Sequence, residues 1–297
     1  MGLLAIDIGG TSIKFGVWDQ EMIKEQGSVP TPKNWVDMEA TLLVIKEQLS
    51  QNYELTGVGF SCPGVVNKSA RRIEVASALP FMAGFPICDV LEKSFGIPVA
   101  IENDANCAGL AEVWQGAAKG CQDVLFVVLG TGIGGAVIVD GKIREGRHLF
   151  GGEFGMMLLQ DDQEFSHYGS AVVMAKTVSE QKGLSGDQAL SGEAVFALAE
   201  QGDDWAKKAV ERFYHYLAVG IYNLAYCFDP EKIILGGGVS AKPDLISAIE
   251  AKIQVIRDRT PYATFMPDLA PCMFQNDANL IGAVANFIQA KNEAESV

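Results

Sequence analysis

The chain has 297 residues, 48% of them hydrophobic and 20% charged, with a formal net charge of −14. Its length accommodates two domains with cores of their own. The acidity excludes a nucleic-acid binder, which carries a basic footprint, and no apolar run reaches the ~20 residues of a membrane span.

The cysteines, Cys62, Cys88, Cys107, Cys121, Cys227 and Cys272, include no C-x-x-C pair and no neighbouring histidine cluster. That spacing suits a reducing cytosol better than a disulfide framework. Residues 1–7 lack the basic n-region of a signal peptide, so a cytoplasmic protein is expected.

Residues 3–8 read as an apolar strand interrupted by Asp7; Gly9-Gly10-Thr11 and a second strand over 13–18, carrying Lys14, follow. As a plain hairpin this needs only its glycine turn. As an anion loop it offers backbone N–H groups to a phosphate, with Asp7 placed to hold a hydrated Mg²⁺. Met38, Leu42, Ile45 and Leu49 predict a helix over 37–51, and a strand over 55–60 then ends at Ser61-Cys62-Pro63-Gly64. A glycine at a strand end admits substrate closely. Residues 77–82 read as a loop with an aromatic wall at Phe81, and 87–95 as a helix.

The apolar run 98–101 stops abruptly at Glu102-Asn103-Asp104, and helix formers follow over 105–114. Asn103 and Asp104 therefore stand at a strand-to-helix junction, where open α/β sheets place their ligands. Both residue types cap helices well. Asp104 is equally placed to accept a proton, with Asn103 holding a hydroxyl beside it.

The small-residue connector Gly116-Ala117-Ala118-Lys119-Gly120 marks a domain boundary, after which the first pattern recurs. A strand over 124–129 enters the loop Gly130-Thr131-Gly132-Ile133-Gly134-Gly135, and a strand over 136–139 leaves it. A dinucleotide fingerprint requires a helix after its glycines. The strand found here points to a second phosphate loop and to two related halves. Asp140-Gly141 signals a hairpin. Gly151-Gly152-Glu153-Phe154-Gly155 adds a glycine-rich element with one carboxylate, 158–168 is polar and irregular, and 213–228 reads as a buried helix ending at Asp229-Pro230. A strand over 232–235 then meets Gly236-Gly237-Gly238, a flat surface on which a nucleoside could lie; 278–290 reads as a last helix and 291–297 as a polar tail.

Asp7-Ile8-Gly9-Gly10-Thr11, Glu102-Asn103-Asp104-Ala105-Asn106, Gly130 to Gly135 and Leu235-Gly236-Gly237-Gly238-Val239, in that order, resemble the ROK family of bacterial sugar kinases. The likeness runs over about residues 5–290. It implies an α/β protein of the actin-like ATPase (ribonuclease H-like) fold, with two α/β domains flanking a cleft for ATP and sugar. Here the expected small domain is 1–117 plus about 286–297, and the larger one 118–285. The resemblance further implies ATP phosphates at Gly9, Gly10, Thr11, Lys14, Gly130, Thr131 and Gly132. It places Mg²⁺ near Asp7 through water, and adenosine near Gly236, Gly237 and Gly238. Asp104 matches the general base, Asn103 and Glu153 match sugar ligands, and Gly64 lines the sugar pocket. A homodimer is the family's usual assembly.

Many family members carry a zinc site made by a histidine after Glu-x-Gly and a nearby cysteine run. Here Met156 takes the histidine position and 160–168 holds no cysteine, so no zinc is expected. The same departure alters a glutamate contact near the sugar's anomeric carbon, where His167 is a candidate substitute or a solvated loop residue. Together with Ala78-Leu79-Pro80-Phe81-Met82, this looks like the β-glucoside kinases. The expected activity is transfer of the ATP γ-phosphate to a sugar hydroxyl, the 6-position of a β-glucoside or glucose. N-acetylmannosamine kinase and a non-catalytic sugar sensor are the alternatives.

Overall fold

The computed structural model describes residues 2–76, 78–260 and 262–295. Ser77 of the expected aromatic-walled loop, and Ser296 and Val297 of the expected tail, lie outside the described residues. In chain order the strands are β1 (Gly2–Ile8), β2 (Ser12–Asp19), β3 (Met22–Pro30), β4 (Leu55–Cys62), β5 (Val65–Asn67), β6 (Arg72–Val75), β7 (Val99–Asn103), β8 (Val124–Leu129), β9 (Ile133–Val139), β10 (Lys142–Ile143), β11 (Lys232–Gly236) and β12 (Leu269–Pro271). The helices are α1 (Trp35–Ser50), α2 (Ile87–Phe95), α3 (Asp104–Trp114), α4 (Phe165–Gly169), α5 (Ala171–Gln181), α6 (Gly192–Glu200), α7 (Asp204–Phe228), α8 (Leu245–Arg257) and α9 (Ala278–Glu295).

The chain divides into two units, one of Met1–Gly120, Lys142–Gly151 and Met273–Val297, the other of Cys121–Gly141 and Gly152–Cys272. Against the division expected from sequence, 118–120, 142–151 and 273–285 join the first unit, the last because α9 is one uninterrupted helix that packs on the first unit's sheet. That helix also continues to Glu295, through most of the stretch read as a tail.

In the first unit the sheet order is β3-β2-β1-β4-β7. β1 runs antiparallel to β2 and parallel to β4, and β4 parallel to β7. Alternation along β1 explains the layers. Leu4, Ile6 and Ile8 join Met38, Leu42 and Ile45 of α1 and Leu91 and Phe95 of α2 in one core. Ala5, between them, packs instead with Leu280 and Val284 of α9. The α9 face is floored by small residues, since Ala5 pairs with Gly59 and Gly59 with Ala100. α9 also lies on α3 with no room for a side chain at Gly282, where a Cβ would stand 1.7 Å from the Cys107 carbonyl oxygen.

The second unit repeats the scheme. β9-β8-β11-β12 are neighbours in that order, β8 and β9 antiparallel, β8, β11 and β12 parallel. That is the arrangement of β2-β1-β4-β7. Leu125, Val127 and Leu129 of β8 face a core built with Phe213, Leu217, Ile221 and Leu224 of α7. Capping by Asp203, whose side chain accepts the Ala206 N–H, starts α7 well before the apolar stretch that announces it. Gly134 and Gly135, read as loop, lie inside β9, where they pair with Val128 and Val127.

Glu112 of α3 is fully buried and faces three backbone donors. Its Oε1 accepts the N–H groups of Met273 and Phe274 at 2.9 and 3.0 Å, and its Oε2 that of Ala117 at 2.8 Å. One carboxylate thus binds the segments where the chain leaves and re-enters the first unit. Glu112→Gln turns an amide N–H₂ toward a backbone N–H, leaving a buried donor unsatisfied. We expect a stability loss of about 1–3 kcal/mol in urea denaturation, with Glu112→Ala losing at least as much.

Candidate active site

At the end of β1, the Asp7 Oδ1 accepts hydrogen bonds from Ser61 Oγ on β4 (2.7 Å) and Asn279 Nδ2 on α9 (3.0 Å). The register puts Asp7 beside Ser61, and Ser61 beside Glu102 of β7, so three polar groups form a row across the strand ends. Lys14 lies opposite Asp7 across the β1–β2 pair. The loop between those strands is pinned from β3 onward: Thr31 donates its hydroxyl to the Gly9 carbonyl at 2.7 Å and its N–H to the Thr11 carbonyl at 3.0 Å. Asn279 and Thr31 belong to no motif visible in sequence, and Ser61 is read there only as part of the turn that ends its strand.

Asn103 closes β7 and caps α3. Its Oδ1 accepts the N–H groups of Ala105 and Asn106 at 2.9 and 3.1 Å, and its Nδ2 donates to the Gly64 carbonyl at 3.0 Å. The helix-cap reading holds for Asn103, and the cap also carries it to Gly64. Asp104 is the first residue of α3 and is exposed, with Oδ1 2.8 Å from the Ala105 N–H. Behind the pair, Glu102 is 1% exposed; its Oε1 accepts the Asn103 N–H at 2.8 Å and the Asn106 Nδ2 at 3.0 Å.

In the second unit the turn Gly130-Thr131-Gly132 closes through a Gly130 N–H to Gly132 carbonyl bond of 3.0 Å. Ser170 braces it: its hydroxyl donates to the Thr131 carbonyl at 2.6 Å while accepting from Val172 and Val173 at the start of α5. Ser166 Oγ accepts the Ile133 N–H at 2.9 Å. At Gly237 the backbone has φ +86° and a Cβ would meet the Leu129 carbonyl oxygen at 2.4 Å, whereas nothing lies near a Cβ at Gly238. A cavity of about 650 Å³ opens here, lined by Gly130, Val172, Ser191, Phe196, Gly238 and Val239 among others. Two glycine loops, far apart in sequence, therefore meet on one half-apolar cavity of ligand size.

Glu153 is exposed, directly after Gly152. His167 sits on α4 and lines a smaller cavity of about 150 Å³ with Tyr168, Trp205 and Arg212. Within their units, the structure brings Asn103 to Gly64 and Gly130 to Gly238; His167 is not part of the Gly130–Gly238 cavity.

Comparison with known proteins adds the family. The ROK family model matches residues 3–290. A β-glucoside kinase of Listeria monocytogenes is 32% identical, over 99% of this chain and 100% of its own. A ROK family protein of Streptococcus pneumoniae, solved in complex with sucrose, is 35% identical with a TM-score of 0.90, covering 99% of this chain and 100% of that one. A ROK family glucokinase of Streptomyces griseus, in complex with glucose and AMPPNP, is 27% identical with a TM-score of 0.76, over 95% and 98% of the two chains.

The glycine geometry separates two neighbouring positions. Gly237→Ala should cost more than about 1 kcal/mol, while Gly238→Ala should leave stability within about 0.5 kcal/mol. Thermal or urea denaturation of the two variants reads the difference.

Proposed function

The chain belongs to the ROK family, and from that premise we propose that it is an ATP-dependent carbohydrate kinase acting on the primary hydroxyl of a β-glucoside. The observation that carries the chemistry is Asp104: an exposed carboxylate on the first residue of a helix, beside an Asn103 that reaches Gly64. A sugar hydroxyl is a poor nucleophile, so Asp104 takes its proton as the oxygen attacks the γ-phosphorus. Asn103, Gly64 and Glu153 hold the sugar, with His167 a further candidate. The rest of the catalysis is positioning and charge stabilisation. Gly9, Gly10, Thr11, Lys14, Gly130, Thr131 and Gly132 receive the phosphates, and Gly236, Gly237 and Gly238 take the nucleoside, Gly238 being the one of the three that lines the cavity.

Mg²⁺ fits the donors present. Asp7 has one oxygen occupied by Ser61 and Asn279, and its carboxylate would hold through water an ion that keeps most of its own hydration. Bound there, Mg²⁺ supplies charge neutralisation to the phosphates. Zinc does not enter this reading. The segment after Met156 is organised by other means: the Tyr168 hydroxyl donates to the Gln160 carbonyl at 3.0 Å, and Tyr168 stacks on Tyr216 at 3.9 Å between centroids. The cytoplasm suits six free cysteines, with burial pushing the Cys62 and Cys107 thiols upward, and among the described residues no helix is long and apolar enough to cross a membrane. A homodimer belongs to the same reading; its support is the family resemblance.

The β-glucoside assignment is supported by the Listeria relative and by Glu164-Phe165-Ser166-His167-Tyr168 replacing the family's zinc-side contact. ADP release with Mg-ATP should be stimulated more by cellobiose and gentiobiose than by glucose or N-acetylmannosamine. Preference for a monosaccharide overturns the substrate, and absence of any sugar-dependent turnover overturns the kinase in favour of a sensor. Asp104→Asn should keep sugar affinity by calorimetry and lower kcat by about 10³-fold; near-normal kcat would remove Asp104 from its role. Metal analysis of the purified protein should find no stoichiometric zinc, and bound zinc at one per chain would refute that part.

A further inference from the structure

Glu102 presents a problem that its neighbours solve. A carboxylate 1% exposed, on the strand next to the Asn103–Asp104 junction, is unfavourable without a counter-charge. The counter-charge comes from Lys68, in the turn of the β5–β6 hairpin, whose Nζ lies 2.6 Å from the Glu102 Oε2. The same ammonium lies 3.0 Å from the Glu145 Oε1. Burial works against the charge on Lys68, but the two carboxylates outweigh it and raise its pKa, so the ammonium persists through neutral pH.

We propose that Lys68 is a positioning residue for the phosphoryl transfer, acting through Glu102 on the Asn103–Asp104 junction. The proposal rests on Asp104 as the base. Glu102 spends its Oε1 on the Asn103 N–H and the Asn106 side chain, the two groups that fix how β7 turns into α3. Asn106 is itself 7% exposed, so its amide has few other partners. Lys68 holds the other oxygen and thereby the carboxylate's orientation. Through Glu145 it also ties this junction to the stretch 142–151, which runs directly into Glu153. Lys68 touches neither reacting group, and its contribution should fall on kcat more than on binding.

Lys68 also borders a cavity of about 590 Å³, lined further by Ser69, Arg144, Arg147, Asn286 and Gln289. A small alkylammonium ion can therefore reach the space that Lys68→Ala would leave. In steady-state kinetics Lys68→Ala should lower kcat by about 30–100-fold, the scale of a displaced catalytic group, with the KM for Mg-ATP changed less than about threefold. Lys68→Arg should recover a large part of kcat, and ethylammonium should partly rescue Lys68→Ala but not Asp104→Asn. Glu145→Gln, which cuts only the outer contact, keeps the buried pair and covers the case in which Lys68→Ala folds poorly; it should show a smaller kcat loss.

Hydrogen exchange gives a readout that needs no turnover. Lys68→Ala should accelerate exchange of the 103–106 amides while leaving β1 and β4 protected. Unchanged kcat in Lys68→Ala and Glu145→Gln overturns the proposal. So does lost kcat with unchanged exchange at 103–106, since Lys68 would then act by another route. If wild-type protein has no sugar-dependent turnover the kinase reading fails, and exchange alone decides whether Lys68 orders the junction.

Discussion

The first unit depends on how closely α9 lies on its sheet. A helix normally rests on a layer of large side chains; here Ala5, Gly59 and Ala100 form the floor and Gly282 meets α3 backbone directly. The cost is apolar burial on that face, about 0.8 kcal/mol for each methylene forgone. The gain is reach. Short polar side chains on α9 can touch strand ends: Asn279 donates to Asp7, and Asn286, 3% exposed, donates to the Ile101 carbonyl at 3.2 Å. A bulkier floor would lift both asparagines away and leave the carboxylate of Asp7 with one partner instead of two.

The same face ends in the row Asp7–Ser61–Glu102, each on a different strand and each held differently. Asp7 takes two neutral donors, Glu102 takes backbone and amide donors plus an ammonium, and Ser61 donates between them to Asp7. Asp7 and Glu102 each stand out in sequence as a carboxylate that interrupts or ends an apolar run, but their being neighbours of Ser61 in one row does not. Ser61 and Glu102 join it through strand register, and register between strands fifty residues apart is not encoded in any local pattern. Lys68 was hidden for a related reason. The β5–β6 hairpin is short, Lys68 lies in its turn, and the contact with Glu102 appears only once β7 is in place.

Much of the architecture was readable where periodicity and turn chemistry act locally. The two strand–glycine–strand hairpins, the β7–α3 junction and the start of β11 all follow from runs of a few residues, and the matching strand order of the two units bears out the repeat inferred from the loops. What sequence could not supply was bracing. Thr31 and Ser170 clamp the two glycine turns from outside the motifs. Asn103 shows the limit clearly. Capping and substrate contact were set against each other as alternatives; the Oδ1 caps α3, and the Nδ2 donates to the Gly64 carbonyl, a bond that belongs to neither alternative and that no local pattern signals. β3 escaped notice because its polar sequence, MIKEQGSVP, is that of an edge strand with little to bury.

A chain of net charge −14 that handles a nucleotide polyanion must separate local from global electrostatics. Among its cations, Lys14 stands opposite Asp7, whereas Lys68 is taken by Glu102 and Glu145, and Lys242 by Asp244 at 2.7 Å. Beside Lys14, the donors proposed are backbone N–H groups at glycine turns, whose dipoles cost no desolvated charge and which Thr31 and Ser170 brace. Such donors favour a ligand whose charge is already partly neutralised, since the long-range field opposes a bare tetra-anion. The acidity of the chain, unspecific by itself, therefore opposes a bare polyanion at long range, and salt should weaken nucleotide binding little, because few side-chain cations are there to be screened.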